Sequence, residues 1–352
     1  SCASAGCPLG GGCHGRCRAC GGLWTATRTM RATAALRSAA RRSIHWIRSG
    51  EQCQAAVERL LNSGHTAVGV DCEGTRLGRF GRLSLVQLAT DKEIFLLDVA
   101  VGGTALVDRL VPLLECRDLV KVFHDCREDA ALLHHQYRAP LVSVFDTQVG
   151  HAVWLERRGL VPYQANVAEV LRTFQVDAYR AHRWDELERH PVSPQRWHDR
   201  PLDPKAIRYA VEGVAHLPAL RRAICHELGD PNGELVLRRS VQYAEYAYLN
   251  EAELPSEDLS GLQAGAAIGA MLAARRPDAA FFKLNHSGLT GAVLDVADLR
   301  EFADLTPGEV ARCRIKFVSE CGEFVHLQRE GHGDLYFDQR SQAMRRLPQK
   351  QA

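Results

Sequence analysis

Residues 66–75, TAVGVDCEGT, form a short apolar run that ends on two carboxylates one residue apart. Its small and β-branched residues suit a strand buried on both faces. Alternate side chains of a strand share a face, so Asp71 and Glu73 point the same way. Two acids at the end of a buried strand repel each other and lose hydration unless cations neutralise them. Hard divalent ions such as Mg2+ or Mn2+ prefer such an oxygen site. The fold must therefore bring a counter-charge, or more carboxylates around an ion, to the end of this strand.

The flanking pattern supplies a sheet for it. A helix is expected over 51–62, where Ala55, Ala56, Leu60 and Leu61 recur at helical spacing. Strands are expected over 66–71, 83–89 and 94–99, separated by short Gly-, Arg- or charge-bearing turns. Helix 105–114, strand 119–123, helix 127–137 and strand 142–145 follow. Three strands in a meander and then alternating helices and strands predict an α/β domain with one mixed sheet. Residues 147–228 read mostly helical and end in a long helix over 204–228, with Asp203 and Pro204 at its N-cap and first position. A turn cluster, GDPNG at 229–233, opens a second unit. There 235–249 reads helical and 281–337 strand-like, a small β-rich module of a kind that often binds nucleic acid. Its basic clusters, Arg275 with Arg276 and Arg312 to Lys316, are thin.

Charge is unevenly placed. Residues 1–50 hold eight arginines and no acid, so 36 basic residues face 42 acidic ones over 51–352. A mildly acidic body cannot hold nucleic acid by bulk charge, so any such site is a local basic groove or a metal-filled acidic pocket. The segment MRATAALRSAARRSI at 30–44 has the composition of an organellar transit peptide, which predicts a mitochondrial or plastid location; cytoplasm or nucleus is the alternative, with a basic tail. Position 1 is not Met, so a fragment, or translation upstream of a start at Met30, is expected. Five of the twelve cysteines lie within the first twenty residues. Cys13, Cys17 and Cys20 beside His14 could hold zinc, against the plainer reading of a Gly-rich tail. The other seven are scattered singly, as reduced thiols are. No run of eighteen apolar residues exists, so no membrane span is expected.

Three motifs occur in order: VGVDCEG with RLSLVQLA after it, KVFHDCREDAALL followed by VFDTQ, and WHDRPLDPKAIRYAVEGVAHLPAL. Together they resemble the DEDD (DnaQ-like) superfamily of 3′-5′ exonucleases, its RNase D-like, tyrosine-type branch, over about residues 43–228. The resemblance implies an RNase H-like exonuclease domain with a mixed sheet flanked by helices, preceded by a basic segment over 1–42 and followed by the module over 229–352. It implies Asp71, Glu73 and Asp129 as ligands of two Mg2+ or Mn2+ ions, with Asp125 a nearby competitor. Asp146 supports the site or simply caps the next helix. Tyr209 corresponds to the residue that orients the attacking water. The last aspartate of the pattern is expected four residues later, on the same helical face, where this sequence has Gly213.

Glu212 could supply the missing carboxylate, and His216 could ligate or act as a base. The activity implied is hydrolysis of the terminal phosphodiester of single-stranded RNA or DNA to nucleoside 5′-monophosphates. The alternative is a catalytically impaired nucleic-acid-binding adaptor that keeps the fold. A ribonuclease H-like endonuclease fits less well, because the RPL and Tyr209 segment belongs to the exonuclease pattern. Arg76, Arg79 and Arg82 are candidates for phosphate contacts and Phe80 for stacking on a base. Arg200, Lys205 and Arg208 flank the third motif.

Overall fold

The computed structural model describes residues 42–176, 184–187, 189–259, 262–286, 289–319, 322, 324–330, 335–338 and 343–346. The transit-like segment up to Arg41 and the Cys13, Cys17 and Cys20 cluster lie outside the described residues.

The first layer is a six-stranded mixed sheet of order β1-β4-β3-β2-β5-β6. It comprises β1 (Ser43–Ile47), β2 (Ala67–Thr75), β3 (Arg82–Ala89), β4 (Glu93–Asp98), β5 (Val120–Phe123) and β6 (Val144–Asp146). The expected meander is β2, β3 and β4, paired antiparallel. β5 and β6 extend the sheet in parallel beyond β2, and β1 adds to β4 in parallel at the other edge. β2 is therefore central, as its apolar run requires, and it continues through Asp71 and Glu73 to Thr75.

Helices α1 (Gly50–Asn62), α2 (Val99–Gly102), α3 (Thr104–Glu115), α4 (Arg127–Tyr137), α5 (Thr147–Glu156), α6 (Val167–Thr173), α7 (Pro204–Ala215) and α8 (Leu217–Glu227) accompany the sheet. Ser49 caps α1 by accepting from the Gln52 amide, and Asp203 caps α7 by accepting from Lys205. The single long helix expected over 204–228 is two helices, α7 and α8. Pro218 lacks the amide that would continue the ladder and clashes with the preceding turn, so the chain breaks at His216.

A helix α9 (Glu234–Glu245) and a single 3-10 turn, Tyr246–Tyr248, lead into a closed five-stranded barrel of order β10-β11-β9-β8-β7. Its strands are β7 (Ala267–Arg276), β8 (Ala279–Lys283), β9 (Thr290–Val293), β10 (Val310–Val318) and β11 (Phe324–Arg329), with α10 (Val296–Glu301) between β9 and β10. A further two-stranded pair, β12 (Leu335–Asp338) and β13 (Ala343–Arg346), follows. The barrel thus begins earlier than its expected start at 281. It has its own core of Leu272, Phe282, Phe302, Ile315 and Leu327, while Ala130 and Ala131 of α4 pack on Tyr246, Ala247, Leu249 and Met271. Asn250 and Asn285 bind this junction: Asn250 donates to the Gly269 and Leu284 carbonyls, and Asn285 to those of Ala247 and Leu249.

Candidate functional site

Asp71 and Glu73 sit on the same face near the end of β2, opposite Gln87 and Leu85 of β3. The pairing shifts between Glu73 and Gly74. A Cβ on Gly74 would lie 2.0 Å from the Arg82 carbonyl oxygen, so this bulge needs glycine, and it ends the flat part of the ladder directly after the second acid. Asp129 joins from the first turn of α4, where the positive end of a helix favours a carboxylate.

The three acids lie close enough to act on one another, Asp71 repelling Glu73 and Asp129, and Asp129 repelling Glu73. Glu73 and Asp129 are buried and Asp71 is half-buried. Burial pushes the Asp71 carboxyl up to about 7. Burial, then repulsion from Asp71 and Asp129, holds Glu73 well above the usual carboxylate range. Asp129 is raised in the same sense by burial and by Asp71, partly offset by a hydrogen bond with the Cys72 thiol. Its Oδ1 is buried with no hydrogen-bond partner among the described residues. Three neighbouring carboxylates, all raised, one with an unsatisfied buried oxygen, suit a divalent cation, whose charge removes the repulsion and whose coordination shell accepts oxygen ligands.

Asp125 does not compete for this role. It lies in the left-handed backbone region at φ 62°, and its carboxylate accepts two bonds from Arg127, at 2.5 Å from Nε and 2.7 Å from Nη2. Burial alone would raise its pKa, but the Arg127 guanidinium, helped by Lys283, outweighs that and holds it well below the usual carboxylate range. Arg127 is itself fully buried, with the Tyr243 ring 4.5 Å beneath it. Asp146 acts on the backbone. It caps α5 by accepting from Gln148 at 2.8 Å, and it accepts from the Asp125 and Cys126 amides at 3.0 and 2.7 Å. It thereby fixes the turn from which α4, and hence Asp129, departs.

Helix α7 crosses the pocket. Tyr209 lies between two tryptophans, with ring centroids 5.2 Å from Trp184 and 6.0 Å from Trp197. Trp184 also sits 6.1 Å from the His216 ring. A Cβ built on Gly213 would be 2.6 Å from Asp71 Oδ2 and 3.8 Å from Trp184. The backbone of α7 thus approaches the Asp71 carboxylate so closely that no side chain fits without moving it. Glu212 is buried on the same helix, and its carbonyl oxygen lies 2.8 Å from His216 Nδ1. Trp184 is the neighbour that the motifs did not disclose, because no pattern in its own segment links it to α7.

The basic residues divide. Arg79 donates to the carbonyls of Asn250, Glu251 and Leu254, and its guanidinium lies 5.1 Å from the Phe80 ring. Phe80 in turn packs against His286 at 5.0 Å. Both expected substrate contacts therefore dock the 76–82 loop onto the segment entering the barrel. Arg200 is similarly engaged, gripping Asp98 through Nε at 2.8 and 3.0 Å. Arg82, Lys205 and Arg208 are exposed, and Arg76 forms an exposed 2.6 Å ion pair with Glu257.

A family model described as 3′-5′ exonuclease matches residues 44–228. The piRNA biogenesis protein EXD1 of Xenopus laevis is 31% identical over 219 residues, covering 57% of this chain and 48% of that protein. Ribonuclease D of Zymomonas mobilis is 32% identical over 168 residues, covering 46% of this chain and 38% of that enzyme. Among solved structures, RNase D of Trypanosoma brucei in complex with RNA U12 superposes with a TM-score of 0.51 at 25% identity, over 61% of this chain and 74% of that one. The chain spans less than half the length of these two curated relatives.

Proposed function

The chain belongs to the 3′-5′ exonuclease family, whose model covers more than half of it, and on that premise we propose that it removes nucleotides from the 3′ end of single-stranded RNA in the presence of Mg2+ or Mn2+. The observation that carries this is the cluster of Asp71, Glu73 and Asp129, two acids on one face of β2 and one in the first turn of α4, all raised and with the buried Asp129 Oδ1 unpartnered among the described residues. Asp71, Glu73 and Asp129 would hold two divalent ions, which when bound lower the pKa of water and offset the charge developing on the scissile phosphate. Tyr209, whose ring packs against Trp184 and Trp197, would orient the attacking water. Glu212 is the nearest further carboxylate on α7 and His216 a polar neighbour of the same face. Arg82, Lys205 and Arg208, with Arg76 once its exposed pair opens, provide cations for the phosphates; exposed pairs of that kind are worth little and open readily. RNA is favoured over DNA by the ribonuclease D relatives and by the likeness to an RNase D bound to RNA.

Gly213 favours a second reading, an RNA-binding protein with little turnover. On this reading Gly213 stands where the pattern's last aspartate is expected, and the close backbone approach to Asp71 Oδ2 leaves no room for a side chain at that position. Loss of one ligand damages the chemical step more than binding. A 5′-labelled single-stranded RNA incubated with Mn2+ or Mg2+ separates the two, with Asp71→Ala as the control and anisotropy as the binding assay. Stepwise shortening that the control lacks supports the exonuclease. Binding without metal-dependent shortening overturns it in favour of the binder, and neither overturns both.

A further inference from the structure

We infer that His134, His135 and Glu251 form a transition-metal site, best suited to Zn2+, that clamps α4 to the segment entering the barrel. His134 Nε2 lies 3.1 Å from Glu251 Oε1, and His135 Nδ1 lies 3.5 Å from the same oxygen. The ligating atoms of all three residues fall within 4.8 Å of one another. In a tetrahedral zinc site with bonds of about 2.0–2.1 Å, ligand atoms stand about 3.3 Å apart, which these separations match. Adjacent helical residues ordinarily diverge by about 100°. Here they converge because one ring presents its distal nitrogen and the other its proximal one.

The hydrogen bonding of His135 points to a cation. Its Nε2 lies 2.7 Å from the Ala247 carbonyl oxygen. A carbonyl only accepts, so Nε2 carries the proton, and the neutral ring directs its Nδ1 lone pair at the Glu251 carboxylate. Two electron-rich atoms facing each other at 3.5 Å favour a positive charge between them, either a metal ion or a second proton. An N–H donated to a backbone carbonyl is also the outer bond that orients metal-ligating histidines. The pair stands in the last turn of α4, whose negative end favours a cation. Arg79, whose charge acts on both His135 and Glu251, spends its donors on backbone carbonyls, that of residue 251 among them.

Two imidazoles and one carboxylate select zinc over Mg2+, which wants oxygen ligands. A fourth position remains for water. The ion would join α4, which carries Asp129, to residues 247–251, which are pinned to the barrel by Asn250 and Asn285. None of this depends on the exonuclease reading, because the site shares no residue with the carboxylate pocket.

The test uses the full chain, stripped with chelator and held in excess Mg2+ so that the carboxylate pocket does not take up zinc. Zn2+ is titrated against a chromophoric chelator, and Co2+ spectra are recorded in parallel. The wild type should take up one more zinc per chain than His135→Ala, and its Co2+ form should show intense tetrahedral bands, without thiolate charge transfer, that the variant lacks. Glu251→Gln, on a partly exposed residue that tolerates change, should weaken that ion by about tenfold or more. Equal zinc uptake and equal Co2+ spectra in wild type and Glu251→Gln would overturn the site, leaving an ion pair held by a proton.

Discussion

Replacing Asp71 by Asn should stabilise the metal-free protein at alkaline pH, although it removes a residue at the centre of the proposed site. The Asp71 carboxyl titrates at about 7 in the fold against an ordinary value of 3.8. Because its folded value is raised, the associated stability is fully present below about pH 4 and is lost as pH rises through about 7. Each pH unit in that window costs about 1.4 kcal/mol per carboxylate that the fold keeps protonated. From pH 5 to 7 Asp71 alone accounts for on the order of 3 kcal/mol, and Glu73 and Asp129 act in the same direction. Asp71→Asn removes that contribution and also the repulsion that Asp71 exerts on both neighbours. Urea unfolding followed by tryptophan fluorescence at about pH 8 with chelator should show the variant more stable by about 2–4 kcal/mol. Adding Mg2+ at about a hundred times its Kd should then stabilise the wild type by about 2.7 kcal/mol and the variant hardly at all. A variant less stable than wild type in chelator, or one stabilised equally by Mg2+, would refute the account of the pocket as a repelling cluster awaiting cations.

Three further outcomes follow from particular contacts. Gly213→Ala places a methyl 2.6 Å from Asp71 Oδ2; the clash of about 1–3 kcal/mol is opposed by a gain of about 1 kcal/mol in helix propensity. Global stability should change little, while calorimetry should find Mg2+ affinity lowered about tenfold or more, since Asp71 is the group that must move. Asp146→Ala leaves three backbone amides without their acceptor and should cost about 2–4 kcal/mol in urea unfolding; the protein that remains folded should bind Mg2+ more weakly than the wild type, because the turn that places Asp129 is no longer held. Arg79→Ala should leave RNA affinity within about twofold and lower the unfolding free energy by about 1–3 kcal/mol, because its bonds go to carbonyls of residues 250–254. A large loss of RNA affinity without a stability change would return Arg79 to the substrate groove.

The parts of this molecule that were legible in the sequence are those whose physics is local. β2 announces itself because a run buried on both faces has nowhere to place polar residues except at its ends, so Asp71 and Glu73 stand out. Asp203 and Pro204 mark the start of α7 by capping chemistry alone. The illegible parts depend on distant partners. β1, SIHWI, is a short edge strand defined by its register with β4. β7 reads AIGAMLAARR, rich in strong helix formers, and is a strand because β8 and β10 pair with it on both sides. An arginine that caps a cluster of carbonyls and one that grips a phosphate are the same letter, which is why Arg79 and Arg200 could not be told from Arg82. Trp184 and the His134, His135 and Glu251 group are contacts across the fold, the last spanning 117 positions.

On the proposed reading of Gly213, the loss of a fourth carboxylate has opposite effects on folding and on catalysis. The positions of Asp71, Glu73 and Asp129 are set by β2 and by the Asp146-held turn before α4, not by α7. The three-acid cluster therefore survives the loss of a carboxylate from α7, and with one fewer acid its metal-free form carries less repulsion. The chemical step has no such insulation, since charge grows on the phosphate only in the transition state, and a lost contribution there raises the barrier without weakening the ground state. The consequence is a specific kinetic signature: KM for a 3′-terminal substrate close to the binding constant, and kcat carrying the deficit. A Glu212→Gln comparison then reports whether the neighbouring carboxylate makes up the loss. If kcat falls further with KM unchanged, Glu212 contributes to the transition state; if neither moves, α7 supplies only Tyr209 and the close backbone approach at Gly213.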